Sequence, residues 1–469
     1  MRAHRAGGRL FRQPQTLSQR GLLLRPDLPG HGLPAGDVSG ALRHPSDLWV
    51  AGPVARDAGR SGAEDRPAPP ALSRPAPSGL REYRQARVRR GRVRVTADGR
   101  PVASPFVFAE APLRVYWEVT RACDLACRHC RAEAIPRRDP RELGTAEGRR
   151  LLDALAEFGR PGPRVVLTGG DPLKRADLWD LIEYGIGLGL RLSLAPSATP
   201  ALTRAAITRL KALGIEAMSL SLDGSTAAIH DGIRRVRGCF IRTMEAALDT
   251  VAVGIPLQIN SLVTAENLDD LPEVHRLVRV VGATRWSLFF LIPVGRGRVL
   301  GQVSPARCEE LLHWLAEVSE ESPFAITTTE APHYRRVALQ RMKAHREEVG
   351  PSALRRGFGL RDGNGIMFVS HTGEVQPSGF LPLAAGNVRA ASPVRIYREA
   401  RLFQDLRRAD SFEGRCGRCE FRAICGGSRA RAYAAAGNPL SEDPLCLYEP
   451  GRPAPSGERS IPAEDRGAA

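Results

Sequence analysis

From about residue 111 the chain alternates between two hydrophobic periods, and that alternation narrows its possible folds more than any other feature. Apolar or β-branched runs stand at 113–118, 164–168, 191–195, 217–222, 256–263 and 285–292. Between them lie helical patterns, most closed by a glycine, the residue that best tolerates a left-handed stop. The first, 145–158, puts Leu151, Leu152, Leu155 and Phe158 on one face before Gly159. Others set Leu202, Ala206, Leu210 and Leu213 before Gly214, and Phe240, Met244, Ala247, Leu248 and Val251 before Gly254. A further helix from Asn267 to Gly282 turns Leu271, Val274, Leu277, Val278 and Val281 inward. Strands alternating with helices form a parallel sheet with right-handed crossovers. The length suffices for six βα units but not eight, so the expected core is a partial (β/α)6 barrel of TIM type. A last helix, 305–319, has Ser304 as cap, Pro305 at its first position and Leu311, Leu312, Leu315 and Val318 inward.

The nine cysteines are too few for a disulfide scaffold in 469 residues, and they cluster. Three, Cys123, Cys127 and Cys130, form C-x3-C-x2-C just after the first strand, at the barrel mouth where such folds build their sites. Four more, Cys416, Cys419, Cys425 and Cys446, form C-x2-C-x5-C-x20-C. Such grouping points to metal sites in a reducing cytosol. Three thiolates within eight residues wrap one iron–sulfur cubane and leave its fourth iron without a protein ligand. A zinc site using His129 is the alternative, but zinc ligands usually come as two pairs separated by a dozen or more residues. The quartet suits one [4Fe–4S] cluster or one zinc ion equally well. Cys239 and Cys308, on helical segments, read as core residues.

The segment "WEVTRACDLACRHC" resembles the cluster loop of the radical S-adenosylmethionine (SAM) superfamily, and the resemblance runs over about 111–300. It implies that SAM chelates the open iron and that reduction releases a 5′-deoxyadenosyl radical, with flavodoxin or ferredoxin as electron donor. "TGGDP" at 168–172 resembles the family's GGE-type motif with Asp for Glu, which implies that Gly169, Gly170 and Asp171 receive the SAM amino group. Ser197 in "APSAT", Ser221 and Asp223 in "SLSLDG", and Asn260 in "QINSLVT" fall where the family lines its SAM pocket. Hydrogen bonding within the barrel core is the competing role for these last residues. The C-terminal cysteines resemble the SPASM/twitch extension, which implies an auxiliary [4Fe–4S] cluster. Full SPASM modules hold two; here Ser378 and Arg429 stand where further cysteines are expected, which implies one cluster on Cys416, Cys419, Cys425 and Cys446.

The formal charge of +17 does not signal nucleic-acid binding. Residues 1–100 hold 19 Arg against 8 acidic residues, a surplus of 11, and only three of the chain's 68 basic residues are Lys. A GC-rich coding sequence accounts for that bias. Residues 1–104 are rich in Pro, Gly, Arg and Ala without apolar periodicity, and cannot bury enough surface to offset ordering entropy. They read as a disordered leader or the product of a start placed too far upstream, with a short strand-like stretch at 91–99. The expected domains are that leader, the barrel at 105–300, a helical connector at 301–360, the iron–sulfur module at 361–450 and a disordered tail at 451–469. No run of about 18 apolar residues spans a membrane, so the expected setting is cytoplasmic.

The segments at 327–341 and 363–389, with a single auxiliary cluster, resemble the radical SAM enzymes of alternative haem and haem d1 biosynthesis, which act on tetrapyrrole propionates. Arg335 and Arg336 could pair with propionates, because a guanidinium fork fits a carboxylate. His333, Tyr334 or His371 could approach a macrocycle. A maturase of a ribosomally made peptide is the rival enzyme, although no N-terminal peptide-clamping pattern is visible. A non-catalytic iron–sulfur or zinc scaffold is the reading from another class.

Overall fold

The structure, a computed structural model, describes residues 107–160, 162–344 and 359–451. The expected leader, its stretch at 91–99 and all but the first residue of the tail lie outside the described residues.

Six parallel strands follow the expected runs: β1 Arg114–Thr120, β2 Arg164–Gly169, β3 Arg191–Leu194, β4 Ala217–Ser221, β5 Leu257–Val263 and β6 Arg285–Phe290. The helices covering them are α1 Thr145–Ala156, α2 Leu178–Gly187, α3 Arg204–Leu213, α4 Ala227–Arg234, α5 Cys239–Ala252 and α6 Leu271–Val281. The sheet then extends at both edges. β7 Ala325–Thr329 pairs parallel with β6, between α7 Pro305–Glu321 and α8 Tyr334–Ala344, so the stretch expected as a helical connector also carries a strand. β8 Ile366–Val369 pairs parallel with β1, and β9 Glu374–Gln376 and β10 Gly386–Asn387 add antiparallel. The order is β10-β9-β8-β1-β2-β3-β4-β5-β6-β7. The C-terminal residues thus share the barrel's own sheet. Four short helices complete the chain: α9 Pro393–Glu399, α10 Arg401–Arg407, α11 Gly414–Arg418 and α12 Arg429–Ala436.

Local chemistry explains the boundaries. Thr203 caps α3 by accepting from Ala206 N at 3.2 Å, and Gly214 ends it at φ 94°. Ser304 caps α7 through Arg307 N, as its sequence pattern requires. The helix expected from Asn267 begins later, at Leu271, after a single 3₁₀ turn. The Asn267 side chain is occupied by Thr264 and by the carbonyls of Asp223 and Leu262. One helix face is corrected. Leu248 and Val251 of α5 are exposed, and Thr243, Ala246, Ala247 and Thr250 are buried instead. Both faces of α5 carry apolar residues, and the small ones allow closer packing.

Candidate functional site

The triplet cysteines occupy the loop that leaves β1. Its stem is held by Cys123 N to Ile135 O at 2.8 Å and Ile135 N to Arg121 O at 3.0 Å. The start of the loop presses on the end of β2, where Gly170 N donates to Thr120 O and Asp171 N to Ala122 O. A Cβ on Gly169, at φ 137°, would stand 2.1 Å from Thr120 O, and one on Gly170 2.4 Å from Ala122 O. Two glycines are therefore required for the second strand to touch the cysteine loop at all.

Cys123 and Cys127 are buried and Cys130 is half-buried. The sulfurs already face donors: Leu125 N at 3.4 Å from Cys123 Sγ, Ala134 N at 3.4 Å from Cys130 Sγ, and Arg234 at 3.7 Å from Cys127 Sγ. Burial raises the thiol pKa of Cys123 and Cys127. Lone thiolates are therefore disfavoured here, and a bound cation would supply the compensating charge. These observations fit an iron–sulfur cluster whose thiolates accept N–H donors.

A cavity of about 220 Å³ lies against this loop, lined by all three cysteines together with Gly169, Gly170, Ser197, Ser221, Asp223 and Asn260. Six of the seven residues implied for the SAM pocket thus meet the cysteines in one space. Asp171 does not line it. Its fully buried carboxylate accepts from Thr199 Oγ1 at 2.7 Å, Leu173 N at 3.2 Å and Ser197 N at 3.4 Å. Ser197 Oγ donates to Gly170 O and lies 3.6 Å from Cys123 Sγ. Asp223 is paired with Arg234 at 2.6 Å and accepts from Leu262 N. Asn260 Oδ1 accepts from Gln258.

Arg234 and Arg296 were not singled out in the sequence, because arginine is too abundant there to be a signal. Arg296 binds Cys127 O and Ala134 O and lines the cavity, and its NH2 group is buried without a hydrogen-bond partner among the described residues. That group suits an anionic ligand such as an amino-acid carboxylate. His129 also lines the cavity, held uncharged with its pKa near 4 by burial and Arg234.

The quartet Cys416, Cys419, Cys425 and Cys446 meets around a second, smaller cavity. Burial pushes the Cys425 thiol up to about 12 and Cys446 to about 11. Arg429, one of the positions where a cysteine was expected, is buried and donates to Cys416 Sγ at 3.5 Å while resting on the Phe412 ring. Ser378, the other such position, lies away from the quartet on the wall of a third cavity. Cys308 is core, 3.3 Å from His333 Nε2, and Cys239 packs against Cys123 and Cys127.

That third cavity, about 230 Å³, runs inside the barrel from the strand starts at Arg114, Arg164 and Ala217 to Thr168 and Asn260, and shares Arg131, Thr168, Asn260, Phe289 and Phe380 with the cysteine cavity. Of the residues considered for contact with a macrocycle or its propionates, Arg335 alone lines it. Arg336 is bound to Glu309 and lies over Tyr448 beside the quartet. His333 faces the quartet cavity, Tyr334 is core, and His371 is buried between Glu118 and Asp139. Arg114 and Arg361 join Arg335 on the cavity wall, and none of the three is in an ion pair among the described residues.

Among the described residues no helix is long and apolar enough to cross a membrane. Residues 117–278 match the Radical SAM superfamily. The chain is 39% identical over 359 residues to an AdoMet-dependent heme synthase of Oleidesulfovibrio alaskensis, covering 75% of this chain and 89% of that protein. It is 29% identical over 363 residues to the mycofactocin maturase MftC of Mycobacterium tuberculosis, covering 75% and 87%. Among solved structures, Streptococcus suis SuiB bound to S-adenosylmethionine shares the fold at a TM-score of 0.58 and 16% identity, covering 72% of this chain and 78% of that one. The matched segment contains the cysteine loop and every strand end that lines the adjoining cavity up to Asn260, and its members use SAM and a [4Fe–4S] cluster; this chain is an enzyme of the radical SAM superfamily.

Proposed function

We propose that the enzyme acts in haem biosynthesis on the propionate side chains of a tetrapyrrole, removing carboxyl groups by oxidative decarboxylation. The observation that carries this reading is the third cavity: it adjoins the cysteine cavity and is walled by Arg114, Arg335 and Arg361, none in an ion pair among the described residues, with Arg361 held by the carbonyls of Gly359, Leu406 and Arg407 and Arg335 by that of Ile424. Unpaired cations in a recess favour a ligand with several carboxylates. When bound, the cluster and SAM supply a 5′-deoxyadenosyl radical that takes a hydrogen atom from the substrate.

The residues of this chain do the remaining work. Cys123, Cys127 and Cys130 hold the cluster, with Arg234 close to one of the sulfurs. Gly169 and Gly170 let the SAM-side strand approach, while Ser197, Ser221, Asp223 and Asn260 wall the pocket. Asp171 acts indirectly, by fixing the turn that carries Ser197. Arg131, stacked on Phe368 and paired with Glu118, stands between the two cavities and restricts the passage between them. Cys416, Cys419, Cys425 and Cys446 hold an auxiliary [4Fe–4S] cluster, and a flavodoxin or ferredoxin serves as reductant.

The test is anaerobic reconstitution with SAM, dithionite and iron coproporphyrin III, followed by mass spectrometry of the pigment. Each turnover removes the elements of formic acid from the pigment. An unchanged pigment, with 5′-deoxyadenosine formed only when a precursor peptide is present, would replace this reading with that of a peptide maturase.

A further inference from the structure

One arginine lies at the seam of the two larger cavities. Arg131 directly follows Cys130 and lines both the cysteine cavity and the third cavity. Its NH1 donates to Glu118 Oε2 at 3.2 Å. The guanidinium lies over the Phe368 ring, 4.5 Å from the centroid. A Cβ on Gly379 would stand 2.8, 2.9 and 3.2 Å from Nε, Cζ and NH1 of Arg131. Distances so similar put Gly379 over the plane of the guanidinium rather than at its edge, and a larger residue there would displace the side chain. Behind the ion pair, Glu118 Oε1 meets His371 Nδ1 at 2.7 Å and His371 Nε2 meets Asp139 Oδ2 at 3.3 Å. Asp139 in turn accepts from Arg141 N, Nε and NH2. Burial alone would lift the Glu118 carboxyl, and His371 with Arg131 holds it below the usual range.

A guanidinium is a rigid plane of five N–H donors whose edges can grip a carboxylate with two parallel bonds. In Arg131, packing takes the plane and Glu118 takes NH1. The Nε/NH2 edge hydrogen-bonds no described residue, and the side chain keeps 19% exposure.

We propose that Arg131 is a substrate-binding residue whose Nε/NH2 edge grips the one carboxylate that the reaction removes. This rests on the reading of the third cavity as a tetrapyrrole site. In a propionate the carbon attached to the macrocycle is next but one to the carboxylate. A carboxylate seated on Arg131 therefore brings that carbon to the seam, beside the cysteine cavity where the hydrogen atom is taken. The charge balance suits this task. A bare guanidinium stabilises a carboxylate as an anion and so opposes its loss as neutral carbon dioxide. Glu118 already balances Arg131, which leaves two oriented N–H bonds with a weaker ionic hold. Arg114, Arg335 and Arg361 have no such counter-ion among the described residues, and suit the carboxylates that stay.

The experiment compares native protein, Arg131→Met and Arg131→Lys, each loaded with its clusters and checked for iron content. Two pigments are titrated by their Soret absorption: iron coproporphyrin III, and haem, in which two of the four propionates are vinyl groups. Arg131→Met is expected to bind iron coproporphyrin III about tenfold more weakly and haem within about twofold of the native protein, because haem lacks the carboxylates that are removed. With SAM and dithionite it should still form 5′-deoxyadenosine, but the carboxyl groups lost per 5′-deoxyadenosine should fall about 100-fold, the cost of a misplaced reacting carbon. Arg131→Lys keeps a cation for Glu118 without the planar fork, so it should hold iron coproporphyrin III within about threefold and still uncouple. Native coupling in both variants, or an equal loss of affinity for the two pigments, overturns the inference and leaves the tetrapyrrole reading intact. A loss of SAM affinity with pigment binding unchanged assigns the edge to the carboxylate of SAM and also overturns it. A native protein that binds neither pigment overturns the tetrapyrrole reading itself.

Discussion

The buried ion pair of Asp223 and Arg234 tests whether the wall of the cysteine cavity is electrostatically organised as described. The charges meet at 2.6 Å with side-chain exposures of 1% and 11%. Burial alone would lift the Asp223 carboxyl, yet Arg234, with His129 and His230, holds it below the usual range. Replacing Arg234 by Met keeps most of the side-chain volume but leaves a carboxylate in the interior without its cation. Breaking one partner of a buried pair costs about 3–5 kcal/mol, because the remaining charge stays desolvated. At about 2 cal/mol/K of unfolding entropy per residue, a folded unit of this size then melts roughly 4–7 °C lower. The partner change Asp223→Asn keeps an oxygen for Leu262 N, which now donates at 2.8 Å. The double variant should therefore recover most of the loss, leaving less than about 2 kcal/mol. The assay is anaerobic thermal denaturation followed by circular dichroism, with iron content measured on each sample. A single Arg234→Met variant that melts within about 1 °C of the native protein would refute the reasoning.

Reconstituted protein should hold about eight iron and eight sulfide per chain, falling to about half in the Cys123/Cys127/Cys130→Ala variant; stoichiometric zinc at the C-terminal quartet would refute the second cluster. A folded Cys127→Ala protein should make no 5′-deoxyadenosine from SAM and dithionite, read by chromatography. Asp171→Ala should lose about 2–4 kcal/mol of stability, since its three hydrogen bonds are internal, and SAM affinity measured at a temperature where it stays folded should change only a few-fold. A chain beginning near Pro105 should fold and keep its iron, because it retains Phe108, whose carbonyl accepts from Tyr397 OH at 2.6 Å, and every described strand and helix.

The six central strands were legible because each is a dense apolar run beside a periodic helix, and burial on both faces forces that pattern. β7 was not, since "AITTT" is short and mostly polar, and it earns its place through pairing with β6 rather than through its own burial. The phase of α5 failed for a different reason. With Ile241, Leu248 and Val251 on one side and Ala246, Ala247 and Thr250 on the other, hydropathy favours the larger residues, whereas close approach to its neighbours favours the smaller. At the site, spacing revealed the cysteines and strand ends revealed the cavity residues, because both are local in sequence. Arg234 and Arg296 reach the cysteine loop through contacts made only by folding, and among 68 basic residues no single arginine stands out.

The C-terminal arginines illustrate how a non-local charge pattern bears on chemistry. Arg429, at a position where a cysteine was expected, directs its NH2 group at Cys416, with its remaining donors taken by Gly427 O, Pro439 O and Ser441 O. Arg336 lines the quartet cavity from a second side. Four thiolates around the auxiliary cluster proposed above would carry net negative charge, and each added electron would increase it. Fixed guanidiniums beside the sulfurs favour the more negative, reduced state and so raise the reduction potential. A cluster bound in that setting is better suited to accept an electron than to donate one. The oxidative decarboxylation proposed above would end with one electron to dispose of, and Ser428, two residues after Gly426 on the loop leaving Cys425, hydrogen-bonds Glu330 on the wall of the third cavity. The third cavity and the quartet are therefore joined by one short segment, which is the arrangement an auxiliary cluster acting as electron acceptor for that proposed reaction would need.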